Sequence, residues 1–207
     1  MPRPAASAGA GRVSRATDSQ RPIYVGECRI DLIRRAGTAS ILSDPRLART
    51  IALALEAAGA PAPASVTVVL TDDEELRDLN RAHLDRDEPT DVLSFPMLPP
   101  EAYPDHPGRA PAEASDTMAA GLQPDIPPPP GERTHLGDIA ISVERAIAQA
   151  EAGRGGQTGD VRWSPADELR LLVTHGVLHV CGWDHAEPEE EAAMRALEQR
   201  LLAEGRR

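Results

Sequence analysis

A chain of 207 residues, 41% of them hydrophobic, has the size of one domain with appendages and enough apolar residues for a core. It leaves little room for two full domains. Only five residues are aromatic, so the core must be built from Leu, Val, Ile and Ala, and a base-stacking surface rich in Phe or Tyr is excluded. The net charge of −11 argues against a protein that coats nucleic acid non-specifically, so any RNA contact must be local. Every basic residue is Arg, the side chain whose planar fork fits phosphate oxygens. Nine of these arginines fall within residues 1–50 against four acidic residues, giving +5 there and leaving −16 for residues 51–207. Cys28 and Cys181 form no paired framework, and neither an 18-residue apolar stretch nor a signal core appears, which points to a reducing compartment, the cytoplasm, and no membrane.

Residues 1–20 read as a disordered basic tail, despite a transit-peptide-like bias toward Arg, Ala and Ser. The domain then runs over 21–207. Ile23 to Ile33 carries enough β-branched and apolar residues for a strand with imperfect alternation. Asp44 and Pro45 read as the cap and first residue of a helix whose stripe is Leu47, Ile51, Ala54, Leu55 and Ala58, ended by Gly59. Ser65 to Leu70 is a β-branched strand. Thr71 with Glu74 reads as a capping box opening a helix to about His83, with Leu76 and Leu79 inward. Asp91 to Phe95, stopped by Pro96, is a short strand.

From Met97 to Gly131 lie ten of the 20 prolines, ending in Pro127–Pro130. Such a segment cannot hold a hydrogen-bond ladder, and it reads as a flexible insertion between two strands that would otherwise pair; the alternative is a polyproline ligand for a partner. Leu136 to Ile141 is the next strand, Ser142 caps a helix to Ala152, and Gly153 to Gly159 is a second loop. Ser164, Pro165 and Asp167 start another helix, which between Leu171 and Cys181 has no Asp, Glu or Arg and should be buried. A last helix begins near Pro188 and faces the core with Met194, Leu197, Leu201 and Leu202. The pattern is α+β: a compact single domain, a small mixed sheet packed with helices, with the helix that follows Ser164 buried.

Within that buried helix, His175 and His179 are four residues apart and therefore rotated by only about 40°. Gly182 can take a positive φ, end the helix and let the chain return through Trp183 and Asp184 to aim His185 at the same point. Three imidazoles with a fourth position open are the ligand set of a catalytic zinc ion. Without a metal, three buried rings would each need hydrogen-bond partners in an apolar helix. The spacing resembles the zinc motif of metzincin peptidases, but those carry a Glu general base directly after the first His, where this chain has Gly176. A peptidase of that mechanism is disfavoured.

The run His175-Gly-Val-Leu-His179-Val-Cys-Gly-Trp-Asp-His185 resembles the metal motif of the YbeY family of bacterial endoribonucleases. Two further segments agree: Leu79-Asn80 leading through Asp87 to Pro89-Thr90-Asp91-Val92-Leu93-Ser94-Phe95-Pro96, and Leu136-Gly137-Asp138-Ile139-Ala140-Ile141-Ser142. The resemblance covers roughly residues 40 to 203, the proline-rich insertion apart. It implies one zinc ion on His175, His179 and His185, cleavage of single-stranded RNA, and a role in small-subunit rRNA processing and ribosome quality control. The family usually shows an aromatic residue and then an Arg after Leu-Asn, where this chain has His83-Leu84. Arg81 and Arg86 flank that position, and Arg86, on the loop, is the freer phosphate fork.

No general base is obvious. Glu168, seven residues before His175 and about 20° away on the helical wheel, could orient a ligand or shuttle a proton. Asp138 is a second candidate, carried by the family analogy. Asp184 could hold a ligand imidazole through its other nitrogen, and His83 and His135 read as surface residues. Two other readings stay open: a metal hydrolase of peptides or small molecules, and a non-catalytic assembly factor that zinc stabilises and that docks on a small-subunit ribosomal protein or an assembly GTPase.

Overall fold

The computed structural model describes residues 17–109, 132–153 and 163–205. Most of the expected tail, the second part of the proline-rich segment with Pro127–Pro130, and most of the Gly153–Gly159 loop lie outside the described residues. Five strands form one mixed sheet: β1 (Ser19–Val25), β2 (Cys28–Arg34), β3 (Ala64–Thr71), β4 (Val92–Pro96) and β5 (Thr134–Ser142). Their order is β1-β2-β3-β5-β4; β2, β3 and β5 are parallel, and the two edges β1 and β4 run antiparallel to their neighbours. The five helices are α1 (Asp44–Ala57), α2 (Asp73–Leu84), α3 (Val143–Glu151), α4 (Pro165–Val180) and α5 (Pro188–Glu204). The α+β architecture expected from the sequence is the one found.

The sheet sorts its side chains by the two-residue period of a strand. On one face Ile30, Val66, Val68, Ile139 and Ile141 meet Leu169, Val173, Val177 and Leu178 of α4 in the main core, which α1, α3 and α5 complete. On the other face α2 presses Leu76 onto Leu93 and Ala140 in a second, smaller cluster. Helix α4 packs on β4 and β5 and also touches α1, α3 and α5, which explains a sequence that is apolar all round. Among the described residues no helix is long and apolar enough to cross a membrane.

Three local expectations are corrected. The stretch Ile23 to Ile33 is a hairpin, not one strand: Gly26 at φ +57 turns the chain, and Ile23 pairs with Ile30. The imperfect alternation marked that turn. The cap of α2 is Asp72, whose side chain accepts from the Glu75 N–H, while Thr71 stays in β3 and its hydroxyl donates to the Glu75 carboxylate. The N-cap position of α1 is Ser43, one residue before Asp44, and its side chain makes no capping hydrogen bond.

The strands flanking the proline-rich segment pair as neighbours, Val92 with Ile141 through Pro96 with Gly137. Reading all of 97–131 as a flexible insertion fails for its first part, because residues 97–109 pack on the domain. Met97 donates to the Leu136 carbonyl at 2.9 Å, a 3₁₀ turn covers Pro100–Ala102, and Tyr103 enters the main core at 4% exposure. Proline forbids a ladder but not docking through an aromatic ring.

Candidate metal centre

Helix α4 begins with a full capping box, in which Ser164 accepts from the Asp167 N–H and the Asp167 carboxylate accepts from the Ser164 N–H. It ends in a Schellman turn: Gly182, at φ +80, donates to the His179 carbonyl and Trp183 to the Leu178 carbonyl. The helix spacing and this hinge bring three rings together. One ligand nitrogen from each of His175, His179 and His185 lies within 4.8 Å of the others, and the ring centroids are 4.5, 5.0 and 5.4 Å apart. His175 and His179 are half-buried and His185 is exposed, so the group opens to solvent on one side.

The hydrogen bonding of His175 supplies a test of fit. Its Nδ1 lies 2.9 Å from Oε1 of Glu198 on α5. A carboxylate only accepts, so Nδ1 donates to it and Nε2 is the nitrogen turned toward the other rings. This nitrogen lies 3.1 Å from Nε2 of His179. Burial first, and then the neighbouring His175 and His185, push the His179 pKa down to about 4, so the ring is neutral at pH 7. A neutral ring at His179 among convergent ring nitrogens suits a divalent cation. The three residues fit one metal ion, with no other protein ligand group gathered there among the described residues.

A cleft of about 300 Å³ runs along this group and is lined by His175, His185, Asp91, Glu168, Arg195 and Glu198, with apolar residues between them. Glu168, 1% exposed, accepts a hydrogen bond from Trp163 Nε1. Arg195 of α5 lines the cleft and pairs with Glu191 one helical turn back. Asp138 lies elsewhere. Its neighbour Ile139 is directed at Gly176 of α4, so Asp138 projects to the opposite face of the sheet, where it meets His135 Nε2 at 3.0 Å. Arg86 follows the left-handed Asp85 at the end of α2, is exposed, and makes no ion pair with a described residue. Arg81 is engaged by Asp78 and Asp87. His83 sits exposed beside Phe95.

Asp184 does not take the supporting role considered for it; its carboxylate accepts from the His185 backbone N–H at 2.8 Å. Glu198 holds the His175 imidazole instead. The sequence held one signal for it, since Glu198 interrupts the stripe Met194, Leu197, Leu201 at a position that should be apolar. Replacing Glu198 by Ala should weaken metal binding by roughly 10–100-fold, the usual loss when an outer partner of a ligand His is removed, as read by titration against a competing chelator. An unchanged affinity would show that Glu198 does not orient His175.

The family model described as Endoribonuclease YbeY matches residues 39–206. A curated relative from Salinispora tropica, named Endoribonuclease YbeY, is 43% identical over 155 residues, covering 74% of this chain and 82% of its own length. One of the same name from Thermobifida fusca is 37% identical over 178 residues, covering 86% and 94%. The solution structure of a Thermotoga maritima protein matches at 20% identity and a TM-score of 0.46, covering 86% and 91%, a likeness too loose to add to these. With a family model matched over residues 39–206 and relatives covered to 82% and 94% of their own length, the chain belongs to the YbeY endoribonuclease family.

Proposed function

We propose that this protein is a zinc-dependent endoribonuclease that cleaves single-stranded RNA in the cytoplasm, acting in small-subunit rRNA maturation and ribosome quality control. The observation that carries this reading is a three-imidazole group open to a cleft in a chain of this family. His175, His179 and His185 would hold the ion. The chemistry that zinc would supply there is that of a Lewis acid toward a phosphate oxygen.

The remaining roles fall to this chain's own side chains. Glu198 fixes the tautomer and orientation of His175. Glu168, on the cleft wall and hydrogen-bonded to Trp163, is our candidate for holding a proton near the reacting phosphate. Arg195, the one cation lining the cleft among the described residues, can exchange Glu191 for a phosphate oxygen. Arg86 offers a second fork on the loop leading to Asp91, which also lines the cleft. Asp138, on the far face of the sheet, has no part in this scheme. Since the chain carries −11 overall, we propose that a small-subunit ribosomal protein and an assembly GTPase bring it to ribosomal RNA.

Zinc-loaded protein should cut a single-stranded RNA oligonucleotide, leave the same sequence in a duplex largely intact, and show no turnover of peptide or ester substrates. Peptide or ester hydrolysis faster than RNA cleavage would make it a metal hydrolase of another class. No RNA cleavage by metal-loaded protein would favour the assembly-factor reading.

A further inference from the structure

We infer that residues 97–109, the first part of the proline-rich segment, form a strap that holds the third imidazole of the metal centre in place, with His106 as the positioning residue. The inference rests on reading the three histidines as a metal site. Between His179 and His185 the chain runs through Val180, Cys181, Gly182, Trp183 and Asp184, and the strap reaches the last four. Tyr103 is buried in the same core cluster as Cys181. A Cβ on Gly182 would stand 3.1 Å from Pro100 Cα. The His106 ring stacks on Trp183 with centroids 4.0 Å apart and planes 7° from parallel. The Asp184 N–H donates to the Gly108 carbonyl at 2.6 Å, and Arg109 forms a β-bridge with Trp183.

These contacts leave Trp183 little freedom. Its Nε1 is buried without a hydrogen-bond partner among the described residues, so packing rather than its own polar atom fixes the ring. Gly108 backs directly onto it, since a Cβ there would come within 2.3 Å of Trp183 Cε3. The strap is itself anchored at Met97 on the Leu136 carbonyl and at the buried Tyr103, and Arg109 closes it through ion pairs with Glu101 and Asp105. Position then passes along the chain from Trp183 to Asp184, whose carboxylate receives the His185 N–H. His185 is exposed and belongs to no helix or strand, so without the strap its loop would sample arrangements that cannot complete the triad. The affinity for metal would fall with the fraction of time the loop is in place.

The test uses the full chain with His106→Ala and His106→Phe, the second keeping a flat ring on Trp183. Zinc dissociation constants come from chelator competition, and amide hydrogen exchange of Asp184 is followed in the metal-free protein. With His106→Ala the dissociation constant should rise at least about tenfold, as for other supports of a ligand His, and Asp184 should exchange faster. With His106→Phe both should stay near wild type. Should His106→Ala not fold, His106→Leu, which keeps bulk but not the planar stack, is expected to show the same losses. Wild-type zinc affinity and Asp184 protection in the Ala or Leu variant would overturn the inference, as would a Phe variant as damaged as Ala. Neither readout involves RNA, and the exchange readout needs no metal, so a failure of the endoribonuclease reading stays distinguishable from a failure of the strap.

Discussion

His179→Ala should lose both the bound metal and RNA cleavage while keeping its secondary structure. His179 is the central ring of the group, with its Nε2 3.1 Å from that of His175 and its centroid 5.0 Å from that of His185. Removing it leaves two ligands, and two cannot hold zinc against water at the affinity of three. The loss of activity should exceed the roughly 100-fold that deletion of an outer partner reaches at most. The fold has independent support, because α4 is anchored by Leu169, Val173, Val177 and Leu178, all fully buried, and Ala is the best helix former. Circular dichroism should therefore match wild type apart from the stabilisation that metal binding adds. Full RNA cleavage by the metal-free variant would contradict a metal-dependent reaction.

Gly176→Glu should unfold or severely destabilise the protein and confer no peptidase activity. This position would carry the general base in the metzincin motif, yet here it faces the sheet. A Cβ at Gly176 would stand 2.7 Å from Ile139 Cγ2, 3.1 Å from Val92 Cγ2 and 3.3 Å from Ser94 Oγ, and the Ser94 hydroxyl donates to the Gly176 carbonyl at 3.1 Å. Ile139 is β-branched and fully buried, so it has no room to withdraw. Overpacking of this kind costs about 1–3 kcal/mol, while replacing a mid-helix Gly returns up to about 1 kcal/mol of propensity. Gly176→Ala should therefore show a net loss on the order of 1 kcal/mol, lowering Tm by a few degrees. A Glu adds the cost of desolvating a carboxylate, several kcal/mol more. A Gly176→Glu variant with wild-type Tm would show that α4 does not lie against β4 and β5 as described.

How far the sequence could be read depended on the range of the interactions involved. His175 and His179 were legible because helical periodicity is local, and Gly182 marked the turn that brings His185 back. Caps such as Ser164 and Ser142 were legible for the same reason. Glu198 was not, because its partner lies 23 residues away and only the packing of α5 on α4 joins them. Strand β5 carries a bulge in which Leu136 and Gly137 stand opposite Val66, between the pairs Ser65–His135 and Thr67–Asp138; Gly137 at φ +153 was its one local mark. The Ile23–Ile33 hairpin turned on one glycine whose φ the alternation only hinted at. The strap was hidden by composition: proline content argued for a loop, and the contacts of Tyr103 and His106 with residues about 80 positions later leave no local trace.

X-ray absorption at the zinc edge of the purified, metal-loaded protein tests the central claim most directly. Three imidazole nitrogens at roughly 2.0–2.1 Å together with one exchangeable oxygen are what this geometry predicts, with one imidazole lost in the His185→Ala variant. Fewer than three imidazoles in the wild type, or a fourth ligand from the protein closing the ion, would contradict it.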